Sequence, residues 1–333
     1  MTLLTIGILT CNQPAELQRA LESILPQMRD GVEIVVNDNS DNLETKQLIE
    51  KKYSTFPIRY FKNNLPTQMS SKWQFDKSVF LITKRAKGKY IWFFGDDKME
   101  PGAIDYVLKI IKKYQDLSFM FMNFYISDQG KEFPILPLSS DKIFDDRNLV
   151  LEEVLNVLGF LSVIIIKRAS VAGIKSEEIE KFMGSGFMNL YLAMNALAQP
   201  GRYYICAKPF VAAYPIPPGK PRPDSFYTFA VDFLEVANNF KSKFRKKSIK
   251  KMLSKNFGHI WRGVLVESVR GRDVPRRRLK TLFKYYWNFP EFWIVLPFFL
   301  MPRFINVFLY KSYKKLTGKS GYLKQKLSKV PWF

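Results

Sequence analysis

The fold class is indicated by residues 90–101, YIWFFGDDKMEP. An apolar, aromatic-rich run is typical of a buried strand, and this one stops at two adjacent carboxylates, Asp96 and Asp97. In open α/β sheets, ligands bind at the carboxyl ends of the strands. Two hard oxygen ligands there suit a divalent cation that carries a diphosphate. The same residues also fit a turn whose carboxylates cap the next helix, so the surrounding sequence has to decide.

The sequence on either side alternates between strand and helix patterns. Before this segment, strands are predicted at residues 3–10, 32–36 and 58–61, with helices near 14–25, 44–53 and 69–86. After it, the pattern predicts helices near 103–114 and 188–198, and strands at 119–126, 160–167 and 203–207. This alternation predicts an α/β fold with a mostly parallel sheet flanked by helices.

The composition narrows the class of protein. At 333 residues, with 47% hydrophobic and 15% aromatic residues, the chain can bury a large core and is not disordered. Cys11 and Cys206 lie far apart, which predicts neither a disulfide framework nor a zinc site and favours a reducing, cytosolic setting. The single histidine, His259, excludes a His-rich metal site. We expect no signal peptide, because strand-like sequence begins at once without a basic segment.

The net charge of +22 is concentrated in the last third of the chain. From residue 240 onward there are 24 Lys and Arg residues against three acidic ones, whereas the first 239 residues carry 28 basic and 27 acidic groups. A nearly neutral unit is thus followed by a strongly basic one. We predict a first domain at residues 1–223 and a basic, aromatic-rich helical region at residues 224–333. The Pro-rich stretch 214–223 marks the boundary or an active-site flap.

Three predicted loops would meet at one edge of the sheet, after the strands at 3–10, 32–36 and 90–94. Asp38, in the second loop, suits hydrogen bonds from a base or a ribose. The chain has neither a Gly-x-Gly-x-x-Gly nor a Gly-x4-Gly-Lys-Ser/Thr loop, which argues against a dehydrogenase or a kinase. A bound diphosphate would therefore need a metal ion or basic side chains for neutralisation.

Several segments in the right order resemble family 2 glycosyltransferases of the GT-A fold. They are TIGILTCNQP at 5–14, RALESI at 19–24, EIVVNDNS at 33–40 and GKYIWF at 88–93. The resemblance is firm over residues 3–115, looser to about 215 and absent beyond. It implies a GT-A (Rossmann-like) catalytic domain that uses a nucleotide-diphospho-sugar.

The resemblance also implies roles for single residues. Thr10, Asn12 and Asp38 would line the nucleotide pocket. Asp97 matches the last carboxylate of the family's Asp-x-Asp motif, which binds Mg²⁺ or Mn²⁺, and Asp96 would lie beside the ribose or diphosphate. Gly95 replaces the first Asp of that motif. Some bacterial surface-polysaccharide transferases look like this, and we expect the chain to be of that type.

The general base is not assigned by the sequence. Inverting members of the family use an acid that precedes a helix such as the one predicted at 188–198, but residues 182–189 contain none. The candidates just upstream are Glu177, Glu178 and Glu180, whose spacing also fits an ordinary solvated helix face. Possible cationic partners of the diphosphate are Lys72, Lys98 and Arg222, each of which also fits a plain surface charge.

The apolar aromatic segment at 289–310 is long enough to suggest a transmembrane helix. Glu291, Arg303 and three prolines interrupt it, so a helical segment lying in the headgroup region of a membrane fits better. Burial of the segment in the protein core is the alternative. Basic residues beside aromatic ones also bind single-stranded nucleic acid, but the prolines in an apolar run favour an anionic membrane surface over nucleic acid.

Together these observations predict a hexosyl- or related sugar transferase. The expected acceptor is a lipid-linked saccharide in capsule, O-antigen or lipopolysaccharide biosynthesis, and the expected location is cytoplasmic, peripheral on the inner face of the cell membrane. The alternative is a non-catalytic adaptor that binds a membrane or nucleic acid and keeps a degenerate nucleotide-binding fold.

Overall fold

A computed structural model of the chain describes residues 2–66, 68–127, 134–214, 225–269 and 276–317. The strands are β1 (Leu4–Thr10), β2 (Val32–Asp38), β3 (Ile58–Lys62), β4 (Tyr90–Phe94), β5 (Lys98–Met99), β6 (Leu117–Phe121), β7 (Phe124–Ile126), β8 (Lys142–Phe144), β9 (Ile164–Lys167), β10 (Arg202–Ile205) and β11 (Val211–Ala213).

The α-helices are α1 (Pro14–Ile24), α2 (Glu44–Lys52), α3 (Ser71–Arg85), α4 (Ala103–Lys113), α5 (Arg147–Val154), α6 (Ala169–Ala172), α7 (Ser176–Glu180), α8 (Met188–Ala198), α9 (Ser225–Tyr227), α10 (Phe233–Asn238), α11 (Lys246–Val269), α12 (Arg276–Tyr286), α13 (Pro290–Leu300) and α14 (Arg303–Thr317). A π-helical segment, Thr228–Asp232, joins α9 to α10.

The main sheet has eight strands in the order β3-β2-β1-β4-β9-β6-β10-β8. The first four are parallel, as is the β6–β10 pair, whereas β9 runs antiparallel between β4 and β6 and β8 is antiparallel to β10. A small second sheet has the order β5-β11-β7. The prediction of a mostly parallel α/β sheet flanked by helices is confirmed, and this is the GT-A-like architecture.

Strands β1 and β4 lie inside the sheet and are packed into the hydrophobic core. Every side chain of β4 is buried, including the large rings of Trp92 and Phe93. Helix α1 buries Leu17, Ala20, Leu21 and Ile24, which share one face at helical spacing. Gly7 of β1 lets α3 approach closely, because a Cβ there would lie 2.4 Å from Cγ2 of Ile82. The sheet edge that carries the predicted site is therefore held by rigid packing.

Two predicted strands differ from the structure. The run at 119–126 divides into β6 of the main sheet and β7 of the small sheet. At the break, the Asn123 side chain donates 2.8 Å hydrogen bonds to the carbonyl oxygens of Leu136 and Ala207. The run at 160–167 begins with a 3₁₀ turn, Leu161–Val163, and extends only from Ile164. Apolar periodicity alone does not reveal such breaks, because the residues on both sides are buried.

The helices after residue 225 continue the same hydrophobic core. Phe233 and Phe240 are fully buried, with their ring centroids 5.3 Å from Phe187 and 5.6 Å from Tyr191, respectively. The proposed boundary at 223/224 lies outside the described residues and stays a prediction.

Among the described helices, none is both long and apolar enough to cross a membrane alone. Helix α13 and the first part of α14, Arg303–Ser312, pass that test together, with a bend of 111° between them.

Candidate active site

A cavity of about 510 Å³ opens at the carboxyl ends of β1 and β4. Its walls come from the loops after these strands, from the start of α3, from the turn before β9, from the loop before α8 and from the π-helical segment. Thr10, Asp96 and Asp97 line it, so the structure brings these three predicted residues together. Ligand pockets commonly have volumes of about 300–1,000 Å³, so the cavity is large enough for a nucleotide-sized ligand.

Asp97 is the buried acid of this cavity, with 4% of its surface exposed. Its Oδ2 accepts a 2.5 Å hydrogen bond from the Ser162 hydroxyl, and its Oδ1 accepts a 3.4 Å hydrogen bond from the backbone N–H of Tyr214. Burial raises the pKa of Asp97 to about 7, with the charge of Asp96 adding to the rise and the Ser162 hydrogen bond opposing it. A buried carboxylate with so little charge compensation is suited to a cation.

Asp96 is half-buried, and its backbone is held by Arg19 of α1. The Arg19 Nη2 donates a 2.6 Å hydrogen bond to the carbonyl oxygen of Asp96, and the guanidinium lies 4.1 Å from the centre of the Tyr214 ring. Gly95, where the family has an acid, has ordinary space around it, since a Cβ would have no contact shorter than 3.7 Å. The missing first acid therefore does not reflect a lack of room.

The loops after β1 and β2 are joined by hydrogen bonds. The backbone N–H of Asn12 donates to Oγ of Ser40 at 2.8 Å, and Oδ1 of Asn12 accepts from the backbone N–H of Asp41 at 3.2 Å. Asn12 has a positive φ of 52°, which Asn tolerates better than most residues. Asn12 shapes the loop but is not among the residues that line the cavity, whereas the buried Oγ1 of Thr10 has no hydrogen-bond partner among the described residues.

Asp38 is fully buried beneath these loops. Its Oδ1 accepts hydrogen bonds from the backbone N–H and the hydroxyl of Ser40, at 2.7 and 2.5 Å, and its Oδ2 accepts one from the Tyr60 hydroxyl at 2.6 Å. Asp38 does not line the cavity, and Asn39 lines it instead. The direct contact of Asp38 with a nucleotide stays a prediction, and the structure shows it organising the loop.

The loop before α8 is held by a buried acid from α3, Asp76. Its carboxylate accepts hydrogen bonds of 2.8–2.9 Å from the backbone N–H groups of Gly184, Gly186 and Met188. Burial raises the pKa of Asp76 to about 6, against these donors. Gly186 and its neighbour Phe187 line the cavity. The loop therefore reaches the site without an acid of its own.

The three predicted candidates for the general base lie on helix α7, outside the cavity. Exposed positions on α7 are occupied by Glu177, Glu178 and Glu180. None of the three lines the cavity, and Glu178 accepts a 3.2 Å hydrogen bond from the Tyr191 hydroxyl. Their catalytic role stays a prediction without support from their placement.

Of the cations suggested by the sequence, Lys72 lines the cavity. Its Nζ lies 2.6 Å from Oδ2 of Asp232. Lys98 does not line the cavity, and its Nζ lies 3.5 Å from a carboxylate oxygen of Glu100. Arg222 lies outside the described residues. Lys72 is therefore the one of the three whose position at the cavity is observed.

Sequence reasoning missed Ser162, Arg19, Asp76 and Asp232. Ser162 carried a usable signal, because it is the one polar residue in the apolar run FLSVIII at 160–166 and is fully buried. The other three lie in segments that read as ordinary helix faces. Their partners are 77 to 160 residues away along the chain, and local patterns do not reveal such pairings.

The oxygens of Asp97 and Asp96 are of the type that Mg²⁺ and Mn²⁺ prefer. No group of three or more His, Cys, Asp or Glu side chains that could hold a metal occurs among the residues that the structure describes. Two carboxylates fit a cation whose coordination is completed by water and substrate phosphates, as is usual for Mg²⁺. The donor set thus fits a cation that is shared with a ligand.

Comparisons with known proteins agree with this geometry. Residues 5–165 match the model of glycosyl transferase family 2. No curated protein sequence matches the chain. Residues 1–349 of S. aureus TarS in complex with UDP-GlcNAc have a similar structure, with a TM-score of 0.58 and 14% identity over 77% of this chain and 72% of that one.

A second similar structure is the mannosyltransferase PcManGT from Pyrobaculum calidifontis, solved in complex with GDP-Man and Mn²⁺. The TM-score is 0.51, with 12% identity over 95% of this chain and 88% of that one. At these identities the structural likeness shows the fold alone. The family match covers residues 5–165, just under half of the chain, and this segment is similar to glycosyl transferase family 2 domains, with a GT-A-like fold.

Proposed function

We propose that this glycosyltransferase takes a hexosyl or related sugar from a nucleotide-diphospho-sugar, with Mg²⁺ or Mn²⁺ at Asp97, and transfers it to a saccharide acceptor. The observation that carries this proposal is the buried carboxylate of Asp97 in a 510 Å³ cavity at the carboxyl edge of the sheet. The presence of UDP-GlcNAc in the TarS structure and of GDP-Man with Mn²⁺ in the PcManGT structure supports it.

The residues of the cavity have different roles in this proposal. Asp97 and Asp96 would hold the cation, which supplies positive charge to the diphosphate when it is bound. Lys72 lines the same cavity, and its ammonium group, which is paired with Asp232, can stabilise the charge that develops on the leaving diphosphate. Thr10 offers a buried hydroxyl to the nucleotide, and Phe187 and Phe229 give the cavity an apolar wall.

Nucleotide binding tests this proposal directly. UDP or GDP with Mn²⁺ is expected to raise the unfolding temperature of the wild type, because a ligand that binds only the folded state stabilises it. The rise should disappear when EDTA replaces Mn²⁺. If neither nucleotide binds with Mn²⁺ or Mg²⁺ present, the transferase proposal fails and the non-catalytic adaptor is favoured.

The acceptor that we propose is a lipid-linked saccharide of surface-polysaccharide biosynthesis, reached while the protein lies on the cytoplasmic face of the cell membrane. Thirteen large hydrophobic side chains are exposed in the described part of the chain, and eight of them lie between residues 283 and 309. The most exposed are Trp287, Ile294, Leu300, Phe304 and Phe308, at 61–72%.

The same helices carry positive charge beside these apolar side chains. Lys284, Arg303 and Lys311 are exposed, and the opposite faces pack inward through Phe292 and Val295, which are buried. An apolar strip flanked by cations matches an anionic lipid surface, where side chains insert and each nearby cation adds about 1 kcal/mol. This arrangement would hold the catalytic cavity near an acceptor that is anchored in lipid.

Vesicle binding tests the membrane part of the proposal. We expect the full chain to co-sediment with vesicles that contain phosphatidylglycerol, and less so at high salt. The double variant Phe304→Ser/Phe308→Ser should bind at least about tenfold more weakly, because each inserted side chain is worth about 1.5–3 kcal/mol. The matched control, Phe56→Ser/Leu149→Ser, changes exposed apolar residues elsewhere and should bind normally. Equal binding by both double variants would contradict the proposed surface.

A further inference from the structure

Lys72 fills the space beside the loop before α8, where a side chain of that loop could otherwise lie. Gly186, in this loop, has a positive φ of 75°, and a Cβ built on it would lie 3.1 Å from Cδ of Lys72. No acid can therefore occupy position 186 without a shift of Lys72. The ammonium group of Lys72 points to another acid, Asp232, at an Nζ–Oδ2 distance of 2.6 Å.

Asp232 belongs to the π-helical segment Thr228–Asp232, which also borders the cavity. Two residues of that segment, Thr228 and Phe229, line the cavity, and so does Lys72. The Asp232 side chain is 22% exposed, and among the described residues no hydrogen-bond donor contacts its Oδ1. Single π-helical turns are frequent at functional sites. A partly accessible carboxylate therefore lies next to Lys72, in a surface depression that shares the loop before α8 with the cavity.

We propose that Asp232 is the general base of the transfer reaction, an inference that rests on the proposed function. Its carboxylate accepts the proton of the acceptor hydroxyl. The acceptor oxygen forms a bond to the anomeric carbon of the donor sugar while the bond from that carbon to the diphosphate oxygen breaks. The electron pair leaves with the nucleoside diphosphate, whose negative charge Lys72 faces.

The surroundings of Asp232 are suited to this role. Burial raises the pKa of its carboxyl group above the ordinary value, the nearby Glu235 adds to the rise, and Lys72 opposes it. Lys181 and Tyr285 also line the surface depression that contains Asp232 and Glu235. A base whose pKa is raised toward neutrality transfers protons more effectively.

The test measures release of UDP or GDP from the nucleotide-sugar that the wild type turns over. Asp232→Asn should lower kcat by about 100-fold or more, the usual contribution of a general base. The Kd for the nucleotide with Mn²⁺ should change much less than kcat, because Asp232 itself does not line the donor cavity. Asp232→Glu should recover part of the activity. The control Glu50→Gln changes an exposed carboxylate that pairs with Lys46 on the surface and should leave kcat near the wild-type value.

Two further variants separate catalysis from a structural ion pair. Lys72→Met should weaken nucleotide binding, and the kcat of Lys72→Met/Asp232→Asn at saturating donor should lie about 100-fold or more below that of Lys72→Met. This double variant also removes both charges of the ion pair, so it remains informative if Asp232→Asn alone does not fold. Activity restored in the double variant, or full kcat in Asp232→Asn, would overturn the assignment of the base. Absence of any nucleotide binding by the wild type would instead overturn the proposed function.

Discussion

Asp97→Asn is expected to lower nucleotide-sugar turnover by about 1,000-fold or more while leaving the metal-free protein at least as stable as the wild type. Asn keeps the shape of Asp but not its charge, so the cation would lose its buried ligand. Stabilisation of transition-state charge by a bound cation is worth several kcal/mol, and about 4 kcal/mol corresponds to this factor.

The stability part follows from the raised pKa of Asp97. Because its pKa of about 7 in the folded protein lies above the usual value near 3.9, the folded state favours the protonated form. The stability that this preference contributes is complete below about pH 3.9 and is lost progressively as pH rises from there through about 7. Asn does not titrate, so above pH 7 without metal the variant should unfold at an equal or higher temperature than the wild type.

Three measurements check this prediction: turnover, unfolding temperature against pH in EDTA, and the rise in unfolding temperature with Mn²⁺ and nucleotide. The last should be present in the wild type and absent in Asp97→Asn. Asp105→Asn serves as a control, since Asp105 is an exposed acid paired with Arg29 on the surface, and such pairs contribute about 0–1 kcal/mol. Normal metal-dependent turnover by Asp97→Asn would contradict the assignment of the cation site.

Asp76→Ala is expected to destabilise the protein by about 3 kcal/mol and to release the loop that forms one wall of the cavity. The substitution removes the acceptor of three backbone N–H groups, from Gly184, Gly186 and Met188. A buried donor left without a partner costs about 1–3 kcal/mol. The cost of burying the Asp76 carboxylate, which raises its pKa to about 6, offsets part of this loss.

Urea unfolding measures the change in the free energy of unfolding, and the Kd for UDP or GDP reports on the cavity wall. Ser185→Ala is the matched control in the same loop. The Ser185 hydroxyl lies 3.4 Å from Asp76 and accepts a hydrogen bond from Phe187, so its loss should cost no more than about 1 kcal/mol. If Asp76→Ala were as stable as Ser185→Ala, the carboxylate would not be what holds the loop.

The sequence predicted the central part of the fold closely because the signals there are local. The strand predicted from the apolar run at 90–94 is β4 with the same bounds, and Pro14 begins α1 as expected. Parallel neighbours end at the same edge, so Thr10, Asp96 and Asp97 could be placed together from order and periodicity alone. The strands predicted at 119–126 and 160–167 were less accurate, because each segment contains a break among buried residues.

By itself, the sequence determined the sheet, the edge at which the site lies and the residue types suited to a cation. Only the tertiary structure decided that Asp97 is buried while Asp96 is half-buried, and that Asp38 faces Ser40 and Tyr60 rather than the cavity. It also decided that Ser162 contacts Asp97, that Asp76 holds the loop before α8 and that Asp232 pairs with Lys72, across separations of 65 to 160 residues. The physical reason is that the environment of a carboxylate is set by burial and by hydrogen-bond partners that arrive from distant parts of the chain.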